Sequence, residues 1–271
     1  MSTVAIVVGA DDFGMHPRID AGILALAAMG RVSAISCMVG APCWGEGLPR
    51  LRALDAEKVD VGLHLDLTEY PLDAGLRRSL GHWIVLTHTR SRPAPGLREE
   101  IAAQLDSFAN GVGAPPAFVD GHEHVHQFPG VRQLLAEELE RRGWTPWLRS
   151  TRKAEGVHSF KASAIEHLGS AGLAKLTARH GFAQNRCFAG VYGLDARSSG
   201  DYLRRLHAWL AGMRTGDLLV CHPAEGWDGA APFPVSRSHE FAALASAGFA
   251  TMLGEFGMRI ATLRDATTAS G

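Results

Sequence analysis

Short apolar, β-branched runs alternate along this chain with stretches of helical period. That alternation restricts it to repeated βαβ units around a mainly parallel sheet. Residues 4–8 read as a first buried strand, and Ile19, Ile23, Leu26 and Ala27 behind Pro17 as a first helix that ends at Gly30. Further strands are expected at residues 32–39, 59–65, 117–119, 145–148, 218–221 and 249–253, with a weaker signal at 188–192. Helical spacing falls between them, near residues 48–54 and over 97–108, 131–142, 160–180, 201–213 and 238–247. About seven strands over this length suit a closed or nearly closed barrel better than a small open sheet. Residues 70–96 hold several Pro, Gly and Arg without a sustained period and read as a long functional loop. Neither a repeat nor a linker divides the chain, so one domain is expected over 1–264, followed by a disordered tail at 265–271.

Composition narrows the partners. A formal net charge of -1 offers no stripe for a polyanion, and clusters such as Arg149, Arg152 and Lys153 are too sparse for nucleic acid. No run approaches the ~20 apolar residues of a membrane span, and the N-terminus lacks a secretory pattern. Cys37, Cys43, Cys187 and Cys221 form no CxxC pair and read as free thiols in a reducing cytosol, so a cytoplasmic location is expected. A homo-oligomer is compatible with the sequence, as is a monomer. No G-x-G-x-x-G follows the first strand, and no Walker lysine or G-x-S-x-G elbow occurs.

The polar residues with chemistry gather at strand ends. Asp11 and Asp12 follow the first strand, and His64 ends the third. Asp120, His122, His124 and His126 follow the next, Arg149 the one after, and His222 a late one. In parallel α/β architectures these ends share one face, so residues distant in sequence meet in one pocket. Taken singly, Asp11 and Asp12 can be a helix-capping turn, and His64 a satisfied core histidine. The segment Asp120-Gly121-His122-Glu123-His124-Val125-His126 is harder to read as packing alone. In extended form its carboxylate and three imidazoles point to one side, which is costly without a metal or substrate. One carboxylate with two imidazoles leaves positions open on a divalent cation, zinc or a harder ion such as magnesium or manganese. Trp44, Trp83 and Trp227 are candidates for stacking on sugar rings and equally for the core.

Four ordered motifs resemble the YdjC-like carbohydrate deacetylase family: Ala10-Asp11-Asp12-Phe13-Gly14, Gly62-Leu63-His64-Leu65, the Asp120 to His126 segment, and Cys221-His222-Pro223. The resemblance covers residues 5 to about 225 and implies a NodB-like deformed (β/α) barrel that removes acetyl groups from N-acetylglucosamine-type sugars. It implies one divalent ion, Mg or Zn, on Asp12, His64 and His122, the last chosen over His124 by motif alignment. It further implies Asp11 as the base that deprotonates an activated water and His222 as the acid for the departing amine. Arg149 is expected to orient Asp11 or touch substrate, and His124 and His126 to face the substrate. The rival readings are a metal-dependent phosphoester hydrolase and a non-catalytic sugar- or metal-binding barrel.

Overall fold

Strand β1 (Val4–Phe13) is buried from Ala5 onward because it has neighbours on both edges and layers on both faces. The computed structural model describes residues 3–89, 92–155 and 159–268. Its other strands are β2 (Ala34–Cys37), β3 (Asp60–Leu65), β4 (Phe118–Gly121), β5 (Trp147–Leu148), β6 (Phe188–Ala189), β7 (Leu218–Cys221) and β8 (Met258–Ile260). The sheet runs β5-β4-β3-β2-β1-β7-β6, with every pairing parallel and β8 added to the start of β1. Beyond β5 the chain reaches β6: Phe188 N donates to Arg152 O at 2.7 Å and Ala154 N to Phe188 O at 3.0 Å. The sheet thus curls into the deformed (β/α) barrel that the family resemblance implies, with helices packed outside. Among the described residues no helix is long and apolar enough to cross a membrane.

Several elements differ from expectation, each for a local reason. Residues 249–253 are not a strand but part of a helix, Ala247–Glu255. Phe249 and Leu253 stand four apart and bury one face, while the Ser246 side chain accepts from Phe249 N and caps the turn. The last strand is β8 instead. The helical stretch over 160–180 breaks into Phe160–His167 and Ser170–His180. Gly169 lies between them, where an added Cβ would sit 2.3 Å from Gln127 O. Residues 70–96 hold a 3₁₀ turn, Ala74–Leu76, and a helix, Leu80–Thr89, whose one fully enclosed side chain is Trp83. Trp83 donates through Nε1 to Leu67 O at 2.9 Å, and Trp44 is likewise buried, whereas Trp227 is half exposed. All four cysteines are free.

The expected disordered tail is also corrected. Leu263–Thr268 forms a helix, because Leu263 and Ala266 are buried and Leu263 N donates to Asp60 Oδ2 at 2.7 Å. Residues 269–271 of that expectation lie outside the described residues. A chain ended after Thr262 should lose about 2–4 kcal/mol of stability from the lost apolar burial. Urea unfolding of the two forms measures it, and equal midpoints would show that this helix contributes nothing.

Candidate active site

Both carboxylates of the first motif reach the site because β1 carries a bulge. Its register with β2 runs Ala10 to Ile35 and then Phe13 to Cys37, so Asp11 and Asp12 together oppose Ser36. In a regular strand one of two consecutive side chains would face away. Asp12 takes a left-handed φ of 74°, a conformation that aspartate tolerates better than most residues. Behind the bulge, Gly14 N donates to Asp20 Oδ1 at 2.6 Å. Burial raises the Asp20 carboxyl to about 7, against the opposing Gly14 bond.

A buried guanidinium organises the floor. Arg149 donates from NH1 to Asp11 Oδ2 at 2.7 Å and from NH2 to Asp11 Oδ1 at 2.6 Å, and NH2 also pairs with Asp120 Oδ2. Asp120 Oδ1 accepts from His64 Nδ1 at 2.6 Å and from the Ser36 hydroxyl. That leaves His64 Nε2 facing Asp12 Oδ1 at 3.4 Å, beside His122 Nδ1 at 3.0 Å from the same oxygen. Arg237, unforeseen in the sequence, donates to Asp12 Oδ2 at 2.5 Å. Burial favours the neutral form of Asp12, yet Arg237 and His122 hold its carboxyl well below the usual range. Burial likewise opposes a charged His64, but Asp120 and Asp11 outweigh it and push the imidazole up to about 10.

Asp12, His64 and His122 each offer a donor atom, all within 4.8 Å of one another. Such a mixed O/N set, with a carboxylate behind one imidazole, has the chemistry to hold a divalent cation. A second grouping, Asp11, His64 and Asp120, shares His64 with the first. Its two carboxylates are both paired with Arg149.

The histidine segment is not extended, which corrects the period-two expectation. After Gly121 the chain winds into 3₁₀ turns over His122–Gln127, with Glu123 and His124 left-handed at φ 51° and 63°. The three imidazoles therefore separate. His122 meets Asp12 and His124 lines the cavity, whereas His126 is enclosed and donates from Nε2 to the Arg149 carbonyl at 2.9 Å. Burial lowers His124 well below the ordinary imidazole value and brings His126 down to about 4.

Above this floor lies a cavity of about 430 Å³. Its lining includes the polar Asp11, Asp12, His64, His122, His222 and Arg237 and the apolar Leu80, Ile165, Leu168, Val191 and Leu194. His222 Nε2 stands 4.0 Å from Asp11 Oδ2. Its backbone N donates to Glu240 Oε2 at 2.7 Å, and Glu240 also accepts from the Tyr192 hydroxyl at 2.5 Å. Burial pushes the His222 imidazole down, with Asp12 and Glu240 opposing. Arg149 and His126 lie beneath this cavity rather than among the residues lining it. Ser36, Arg237 and Glu240 carry no motif or periodic signal that would have singled them out.

A (β/α) barrel with an acidic, histidine-rich, metal-capable pocket at its strand ends is the class that fold and site define. The sequence model described as YdjC-like protein matches residues 5–255, and the chain belongs to that family. It is 29% identical to the carbohydrate deacetylase of Homo sapiens, over 96% of this chain and 90% of that protein. It is 31% identical to the chitooligosaccharide deacetylase of Enterobacter sp. (strain 638), over 58% and 64% of the two chains. The fold is shared with a candidate cellobiose-phosphate cleavage protein of Enterococcus faecalis V583, at TM-score 0.68, 19% identity and coverage of 97% and 99%. A peptidoglycan N-acetylglucosamine deacetylase has the same fold, at TM-score 0.57, 12% identity and coverage of 98% and 89%.

Two measurements probe the supports of the site. Replacing Asp120 by Ala removes the acceptor of His64 Nδ1, and divalent-cation affinity should fall about 10–100-fold by calorimetry; unchanged affinity would leave Asp120 without that part. Asp20 is protonated more readily in the fold than in the unfolded chain, so its stabilising share is complete below about pH 4 and lost as pH rises through about 7. Relative to wild type, Asp20→Asn should therefore gain about 2–4 kcal/mol between about pH 4 and 8. Urea melts at both pH values read the gain, and a pH-independent difference would contradict it.

Proposed function

We propose that this chain is a divalent-metal-dependent carbohydrate N-deacetylase acting on an N-acetylglucosamine-type oligosaccharide or glycoconjugate. One observation carries the reading. Asp11, gripped by Arg149, stands beside the metal-capable trio Asp12, His64 and His122 in one cavity. Two relatives of the chain bear the names carbohydrate deacetylase and chitooligosaccharide deacetylase.

Asp12, His64 and His122 would hold one ion, and the bond from His64 Nδ1 to Asp120 keeps Nε2 available for it. When bound, such a cation polarises an acyl carbonyl and makes water more acidic, and zinc, magnesium and manganese all suit mixed N/O donors. The pairing of Asp11 and Asp120 with Arg149 supports a single ion rather than two. Arg149 holds Asp11 through two hydrogen bonds and fixes its direction, so that Asp11 takes the proton of the attacking water. The amide C–N bond then breaks as His222 gives its proton to the sugar nitrogen, leaving acetate and a free amine, and the proton held by Asp11 resets His222 across the 4.0 Å between them. His124 meets the sugar in the cavity, while Arg149 and His126 support it from below. Cavity residues drawn from Asp11 to Arg237 favour a single unit, which the packed helix Leu263–Thr268 carries past the expected boundary at 264. The four free cysteines suit a cytoplasmic, reducing setting.

The test is acetate release from a panel of N-acetylated sugars and chito-oligosaccharides. Release should vanish with chelator and return with one of the three metals. Asp11→Asn should lower kcat by about 10²–10⁴-fold while the metal still binds. Full turnover in that variant would remove Asp11 as the base, and phosphate release without acetate release would favour the phosphoester reading.

A further inference from the structure

Arg237 has more donors than the protein uses. NH2 is bonded to Asp12 Oδ2, but Nε and NH1 are buried with no hydrogen-bond partner, in a side chain only 6% exposed. Burying guanidinium donors without acceptors forfeits their hydration, so such groups are found where a ligand supplies the acceptor. Arg237 lines the cavity together with Asp12 and His222, and the missing acceptor belongs to whatever fills that space. His222 Nδ1 and His124 Nδ1, on two other cavity residues, are likewise buried and unpartnered. The helix that carries Arg237, Ser236–Ala245, is tied to the site twice more. Arg237 O accepts from Ala224 N at 3.0 Å, and Glu240 holds the His222 backbone. The guanidinium is therefore fixed rather than free to turn away.

Charge decides which ligand oxygen it suits. The floor holds three carboxylates, Asp11, Asp12 and Asp120, against two guanidinium groups, Arg149 and Arg237. With a divalent cation bound and His64 and His122 neutral as its ligands, that set carries one net positive charge, which favours an oxygen that gains negative charge over a neutral sugar hydroxyl. We propose that Arg237 NH1 binds the acyl oxygen, donating to the acetamido carbonyl as it becomes an oxyanion and to the carboxylate of acetate before release. As water adds to the acyl carbon, the C=O π pair moves onto that oxygen. When the C–N bond breaks the pair returns, and the nitrogen leaves with the proton from His222. This proposal rests on the deacetylase reading.

Arg237→Lys in the full chain keeps a cation over Asp12 but lacks the second nitrogen of the planar guanidinium. Three readouts apply: metal titration without substrate, acetate titration into the metal-loaded protein, and kcat with KM. Metal affinity and KM should stay within about threefold, kcat should fall about 100-fold, and acetate should bind at least about tenfold more weakly. Unchanged kcat and acetate affinity would overturn the proposal. So would a loss of kcat recovered at saturating metal, because Arg237 would then act only on Asp12. If wild type releases acid from no N-acyl sugar, the deacetylase reading falls, yet the acetate titrations still decide whether Arg237 is the carboxylate-binding group.

Discussion

The site depends on a buried ion pair: the Arg149 guanidinium held between Asp11 and Asp120. Neither carboxylate is more than 2% exposed. Burying either charge without a partner would be costly. Arg149 pairs with both carboxylates, and it is itself held. Its backbone N donates to Val119 O at 3.1 Å and its carbonyl accepts from His126. Because Asp120 also receives His64 Nδ1, the one guanidinium sets the direction of the proposed base and, through Asp120, the tautomer of a proposed ligand. Breaking such a pair from one side is strongly destabilising, which ties the catalytic geometry to the stability of the barrel.

The β1 bulge is the second requirement. It lets two adjacent aspartates serve different partners, Asp11 with Arg149 and Asp12 with His122 and Arg237. The left-handed φ of Asp12 costs on the order of 1 kcal/mol, an amount easily offset by the charged hydrogen bonds it makes possible.

What the sequence made legible follows from physics. Asp11, Asp12, His64 and His222 stand where apolar runs stop, and in a parallel barrel that position alone gathers them. The extended reading of residues 120–126 failed because Glu123 and His124 adopt left-handed backbone with no glycine to mark it. Phe249 and Leu253 lie in a short apolar run whose spacing fits a strand or one face of a helix, and only the Ser246 cap decides. The helix Leu263–Thr268 hid behind small and polar residues, since only Leu263 and Ala266 are buried among its described side chains. Arg237 follows a Pro- and Gly-containing stretch and reads as solvated surface, because its acceptor lies 225 positions away. Ser36 looks like an ordinary gap in an apolar strand until Asp120 and His64 are placed against it.

That chain distance has a consequence for synthesis. Strand β1 lies inside the sheet, yet its neighbours β7 and β8 are translated long after it. The counter-charges for its two aspartates are translated 138 and 225 positions later. Until then Asp11 and Asp12 stay hydrated, since a nascent chain has nothing with which to bury them. The barrel therefore cannot close strand by strand behind the ribosome. It waits for residue 237, and a product ending before that residue lacks a bonded partner for Asp12 Oδ2.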